Sequence, residues 1–243
     1  MTVVLTKDSS IEGTLALNPG GPSAYSESSL EVGADLTIPE SGMITIHSGG
    51  NIENSGNIKN LGNIIINNKG GIDNLGGNIT IYSGGSIDNK PGGEIDNDSL
   101  GIFPTNSTIT IHSGGIFNNS GKVTNVDTVD NSGTINNIHN EGTYGTIDNT
   151  GGTIKNTGSL NNDIEATFTG SPPIDNPVTY VISSDYILSD TTCPKIGEVP
   201  SSDDIHCTIT NLTINPSGKL TVSKDTTWDV TEITPLNQST DFH

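Results

Sequence analysis

The sequence predicts an all-β protein whose centre is a parallel β-solenoid (β-helix), with irregular β flanks and a Pro-rich excursion closed by a disulfide. Three observations predict it. A short phrase, Gly-x-Ile-x-Asn, recurs with gaps of six to eight residues between near neighbours. A longer phrase is written three times: "ITIHSGGNIEN" at 44–54, "ITIYSGGSIDN" at 79–89 and "ITIHSGGIFNN" at 109–119. The composition is 30% hydrophobic and 4% aromatic, with 30 Gly in 243 residues, so any core must be built from small and β-branched side chains. Such a composition also suits disorder, but disordered chains do not keep a period.

The short phrase appears as "GNIEN" (50–54), "GNIKN" (56–60), "GGIDN" (70–74), "GSIDN" (85–89) and "GEIDN" (93–97). It continues as "GTINN" (133–137), "GTIDN" (145–149) and "GTIKN" (152–156), with looser copies at 115, 121 and 158. A β-branched residue between two polar ones reads as a very short strand with one side chain inward. Gly before it and Asn after it are expected to supply the turn conformations at each end. Strand and corner every six to eight residues describe one side of a coil, and three sides make a coil of about 18 to 24 residues. Inward Ile would stack into an apolar column, and Asn could form hydrogen-bonded ladders.

The long phrase recurs at offsets of 79 − 44 = 35 and 109 − 79 = 30, too unequal for one fixed coil length. Insertions such as "KPGGE" and "DSLGIFPTNS" are expected to bulge from corners. Domain boundaries follow the pattern: 1–40 for the N-terminal strands and first coils, 41–165 for the repeat, 166–243 for a C-terminal β region. Both flanks alternate apolar with polar residues, as in "SLEVGADLTIPESGMITI" and "CTITNLTINPSGKLTVSKDTTWDV". Between repeat and tail, the Pro-rich stretch 169–207 cannot hold the repeat and reads as a side excursion. It contains Cys193 and Cys207, the only cysteines, which read as a disulfide. A bond around such a loop contributes about 3 kcal/mol.

These repeats resemble a broad group of microbial surface proteins rich in "GTINN"-like sequences, over roughly 41–162. The resemblance implies a β-solenoid with an extracellular structural or adhesive role, and it carries no catalytic residue across.

Charge narrows the function classes. Nine basic residues, all Lys, face 28 acidic ones for a net −19. Nucleic-acid binding needs a basic footprint and is disfavoured, as is an anionic membrane surface. No apolar run approaches the roughly 18 residues of a membrane span. The opening "MTVVLTKDSS" lacks a secretory signal pattern, so export uses another route or the numbering starts at a mature form.

Candidate sites are few. His47 and His112 share one slot of the long phrase with Tyr82, an exchange no metal ligand or general base tolerates, so the slot reads as outward-facing strand. His139, His206 and His243 have no cluster at ligand spacing. Glu53, Asp73, Asp88 and Asp96, joined later by Asp148, share the slot after the inward Ile. Stacked, they would repel unless solvated or bridged by a cation such as calcium, although the nonapeptide of calcium-loaded β-rolls is absent. No other cofactor is expected. Sequons stand at Asn78, Asn97, Asn106, Asn118, Asn211 and Asn237.

The expected function is a non-enzymatic structural subunit of an extracellular filament or surface fibre. "TKDSSIEGT" (6–14) aligns without a gap on "SKDTTWDVT" (223–231), pairing Lys7 with Lys224, Asp8 with Asp225, Ile11 with Trp228 and Glu12 with Asp229. Similar ends in equivalent positions would let one copy continue the sheet of the next, making the protein its own partner. The alternative is a surface adhesin or viral fibre that binds glycans. Ice binding is weaker, because the Thr108/Thr110 pair becomes Asn78/Thr80 and Met43/Thr45 in the sister copies. A polysaccharide-active β-helix enzyme is weaker still, because basic residues are scattered.

Overall fold

The computed structural model describes residues 2–17, 28–99, 106–140 and 142–182. It adds, chiefly as backbone, the strands Asp185–Leu188, Cys207–Ile214, Lys219–Val222 and Trp228–Pro235. Every element among them is a strand. Three long sheets run side by side, and every pair within them is parallel. Successive strands visit the first, second and third sheet in turn, so three strands make one coil and the coils stack. One coil of the middle comprises Gly71–Asn74, Asn78–Ile81 and Ser86–Asn89. The first sheet runs from Thr2–Leu5 to Thr167–Gly170, the second from Ser9–Ser10 to Ile174–Asp175, and the third from Thr14–Leu17 to Trp228–Pro235. This is the predicted parallel β-solenoid.

The interior is built from columns one residue wide. In the first sheet Leu30, Ile52, Ile72, Ile95, Val123, Ile147 and Phe168 lie in register, all buried. Leu36, Ile58, Ile79, Ile109, Val129 and Ile154 form the column of the second sheet, and Ile44, Ile64, Ile87, Phe117, Ile135 and Leu160 that of the third. Ile suits this position because its branched carbon packs on the pleat above and below.

The Asn of the short phrase does something other than turn the chain. It is the last residue of its strand and points inward, and along the strands half-buried or exposed residues alternate with buried ones. In the first sheet Asn54 donates from Nδ2 to Asn74 Oδ1 at 2.7 Å, Asn74 to Asn97 at 2.8 Å, Asn97 to Asn125 at 2.7 Å and Asn125 to Asn149 at 2.7 Å. The third sheet repeats this through Asn89, Asn119, Asn137 and Asn162. Each rung uses its second N–H on a backbone carbonyl just past the corner, as Asn97 does on Thr128 at 3.0 Å and Asn119 on Thr146 at 3.0 Å. A corner breaks the strand ladder, and the buried amide takes up a carbonyl that would otherwise be orphaned.

All these amides donate toward the C-terminal coil, so each ladder has a first rung with an idle acceptor. In the second sheet Asn60 and Asn131 follow Ile38 and Ile111, and their oxygens accept the N–H of Gly62 and Gly133 instead. Asn54 and Asn89 stand above Val32 and Ile66, and their Oδ1 atoms are buried without a partner.

Strands ending in Ile turn differently. In the long phrase Gly49, Gly84 and Gly114 have φ of 76°, 84° and 82°, and the N–H groups of Gly50, Gly85 and Gly115 donate to the carbonyls of His47, Tyr82 and His112. That is the pattern of a type II turn, which satisfies its own backbone and needs no Asn. The three copies are one corner design used at different corners. The first joins the third sheet to the first, and the other two join the second sheet to the third. Their unequal offsets follow. The Gly opening a short phrase answers to another need: a Cβ on Gly56 would run into the carbonyl oxygen of Ala34 in the coil below.

One boundary changes. The solenoid does not stop at 165. Thr167–Gly170, Ile174–Asp175 and Thr179–Ile182 extend all three sheets through the start of the Pro-rich stretch, with Phe168 and Tyr180 in the inward slots. Residues 2–17 form the first coil of the same sheets, where the sequence places N-terminal strands and first coils. Cys193 lies outside the described residues and Cys207 is described by its backbone alone.

Replacing Asn97 with Ala would orphan Asn125 Oδ1 and the Thr128 carbonyl, and the expected loss is about 2–4 kcal/mol by urea denaturation. Asn118→Ala, in the outer amide ladder of the third sheet, is expected to cost less, about 0.5–1 kcal/mol, because water can reach the groups it leaves.

Candidate functional site

Because the interior is filled, chemistry is left to the three outer faces, the corners and the ends of the stack. The first face is acidic. Glu31, Glu53, Asp73 and Asp96 are in register on successive strands, followed by Thr124 and Asp148. Glu31 was missed by reading only the Gly-x-Ile-x-Asn copies, although "SLEVG" places it after an inward Leu in the same slot. Asp88 is not part of this column. It belongs to the third sheet, opposite Ile65 and Asn118, because its copy of the phrase is laid one corner later. Like carboxylates directly opposite repel. Among the described residues no three His, Cys, Asp or Glu side chains converge as metal ligands would. The carboxylates form a row, and Asp73 accepts a hydrogen bond from Asn51 Nδ2 at 2.8 Å.

The second face is mixed. Its central outward row reads Thr37, Lys59, Thr80, Thr110, Asp130 and Lys155, so charges interrupt the threonines an ice-matching array would need. Lys59 pairs with Asp35, which also accepts Asn57 Nδ2 at 2.7 Å. The hydrogen bond from Lys59, then that from Asn57, holds the Asp35 carboxyl below its ordinary value, while the same pair raises Lys59. On the first face Thr150 donates its hydroxyl at 2.6 Å and its N–H at 3.0 Å to Asp148 Oδ1, and the carboxyl is lowered, chiefly by that hydroxyl. Tyr82 and His112 lie on adjacent coils with ring centroids 5.1 Å apart. His47 lies at a different corner from both, so the shared slot does not make a shared site.

The third face carries an outer amide ladder: Asn161 donates to Asn136, Asn136 to Asn118 and Asn118 to Asp88, at 2.9, 2.9 and 2.7 Å. Of the sequons, Asn78 and Asn106 are exposed and Asn118 is half-buried within this ladder. Asn97 is fully buried with its amide used inward, so it is no glycan acceptor in the folded chain. The side chain of Asn211 and all of Asn237 lie outside the described residues.

At the N-terminal end, Thr2–Leu5, Ser9–Ser10 and Thr14–Leu17 each have one strand neighbour. Val3 and Val4 are 39% and 53% exposed, and Leu5, Ile11 and Leu15 are only partly buried against the core. Lys7 and Glu12 are exposed, and Asp8 accepts the Asp35 N–H at 3.4 Å. The described parts of 6–14 and 223–231 lie in different sheets. Ser9 and Ser10 pair in the second sheet, while Trp228 and Asp229 open a strand of the third sheet opposite Cys207 and Thr208. Lys224 and Asp225 are outside the described residues.

Fold and surface together define a three-sided, strongly acidic parallel β-solenoid, a repeat protein of stacked coils. No protein-family model matches the chain and no curated protein matches it. Among solved structures it is similar to the crystal structure of the TibC-catalyzed hyper-glycosylated TibA55-350 fragment, at 15% identity and a TM-score of 0.29, over 94% of this chain and 93% of that one. No helix of the described residues is long and apolar enough to cross a membrane.

Two measurements test the electrostatics of the faces. Asp73→Asn removes one charge from the acidic column and keeps an acceptor for Asn51. It is expected to raise stability by about 0.2–1 kcal/mol at low salt, a gain that shrinks as salt screens the column. For pH, Asp35 and Asp148 have lowered folded values, so their contribution is complete above the ordinary 3.8 of aspartate and lost as pH falls through the folded values. Thermal melts of wild type and a Asp35→Asn/Asp148→Asn variant are therefore expected to converge as pH drops below that range.

Proposed function

We propose that the chain is a structural subunit of an extracellular filament or surface fibre, its copies adding head to tail through the open strand edges of the first coil. The observation that carries the reading is that edge: three strands with one neighbour each, beside exposed Val3 and Val4. Open edges present unpaired N–H and C=O groups that template another strand. At the other end of the stack, Thr167–Gly170 and Ile174–Asp175 also have one strand neighbour among the described residues. In a parallel stack the two edges face opposite ways, so copies meet through unlike surfaces, and such contacts extend rather than close. A net charge of −19 with no Arg supports a role away from nucleic acids, and the partner is the chain itself.

The test removes one edge donor. Leu5 C=O accepts the Gly33 N–H, so alternation along the strand turns the Val4 N–H toward the open side. Val4→Pro removes that donor without breaking a bond inside the fold. Wild type is expected to form filaments under the electron microscope and to scatter light increasingly with concentration, while the variant keeps the wild-type thermal midpoint and stays monomeric. A wild-type chain that remains monomeric at high concentration refutes the reading.

A further inference from the structure

Many corners that carry a buried Asn turn in two residues, as Ser120 and Gly121 do between Asn119 and Lys122. One is different. Between Thr134–Asn137 and Thr146–Asn149 the chain leaves the stack as a hairpin, pairing His139–Asn140 with Thr143–Tyr144, the single antiparallel pair among the described strands. Its base is closed by the Gly145 N–H on the Ile138 carbonyl at 3.0 Å. The stack gains nothing from it, since the neighbouring coils complete their ladders across the same corner without one. Tyr144 is 43% exposed, yet its ring is held, stacked on His139 with centroids 4.5 Å apart and an interplanar angle of 20°.

Beneath the hairpin lies a cleft of about 200 Å³, walled by Tyr144, Glu94 and Lys122 and bordered by Gly92, Gly93 and Gly121. The two glycine corners leave backbone at its floor, so a ligand can approach closely. Glu94 and Lys122 are exposed and in register on adjacent strands, and no salt bridge forms between them. An acceptor and a donor thus stand side by side at the edge of the acidic first face. We propose that this cleft binds one neutral sugar ring of a glycan, its apolar face against Tyr144 and its hydroxyls shared between the Glu94 carboxylate and the Lys122 ammonium.

Four features select that occupant. The volume is below the roughly 300 Å³ where drug-sized pockets begin, and so suits about one ring. A fixed aromatic ring offers apolar area at little entropic cost. A hydroxyl both donates and accepts, which matches a mixed pair better than a single charge does. The field of a chain carrying −19 disfavours an anionic ligand. The inference does not rest on filament assembly, and either can fail without the other.

The test is titration calorimetry and saturation-transfer NMR of the full chain with neutral trisaccharides of glucose, galactose, mannose and N-acetylglucosamine, and a sialylated trisaccharide as anionic control. At least one neutral trisaccharide is expected to bind, and Tyr144→Ala to weaken it by about tenfold or more, with circular dichroism unchanged because the hairpin lies outside the stack. Glu94→Ala/Lys122→Ala leaves the hairpin intact and is expected to weaken the same ligand. Binding by none of the neutral sugars, binding of the sialylated one alone, or neutral binding unaltered in either variant overturns the proposal.

Discussion

Everything in this molecule depends on keeping backbones stacked at about the 4.8 Å strand spacing through corners, where the regular ladder is interrupted. Straight segments satisfy that demand with ordinary parallel pairing. Corners cannot, and a buried carbonyl left alone there would cost about 1–3 kcal/mol. The chain meets the requirement in two ways. A strand that ends in Asn sends its amide inward to the Asn and the carbonyl of the next coil, and turns tightly. A strand that ends in Ile fills the same volume with hydrocarbon and is followed by a longer turn that bonds to itself; Asn89 combines the two, with an amide in the ladder and a turn in which the Gly93 N–H donates to the Lys90 carbonyl.

The same geometry gives the stack a direction. Interior amides donate toward the C-terminal coil, from Asn54 through Asn149 and from Asn89 through Asn162. On the outside of the second and third sheets the direction is reversed: Asn78 donates to Asn57 and Asn57 to Asp35, as Asn161, Asn136 and Asn118 lead to Asp88. Each outer ladder therefore ends on a carboxylate, a group that only accepts and suits the accepting end of a chain of amides. The interior cannot use a carboxylate there, because an unpaired charge would be buried, and the oxygens of Asn54 and Asn89 stay unpartnered instead.

A core of single-residue columns leaves the surface free to vary. One face gathers carboxylates, another mixes ions with threonine, and a third runs amides beside an exposed Ile116. None of these choices alters the stack, because outward positions touch only their neighbours above and below. Insertions are tolerated at corners for the same reason. The hairpin under Tyr144 and the Asp127 carboxylate, which accepts the N–H groups of Ser99 and Ser107 at 2.7 and 3.0 Å across an inserted loop, are both additions to a finished frame.

The sequence by itself determined the solenoid, its three-strand coils and the inward Ile, because a column repeated every coil must recur in the chain as a period. It also announced Asn ladders, although it placed Asn at the turn rather than inside. Ile52 and Asn54 are separated by one residue, and a period-two strand puts both on the same face, which the single-inward reading overlooked. What only the tertiary structure decided is register between coils of unequal length. Asp88 left the acidic column and Glu31 joined it, and His47 parted from Tyr82 and His112, because one phrase serves corners on different sides. Local sequence specifies a corner's shape, but the number of residues already wound into the coil decides which side of the prism that corner occupies.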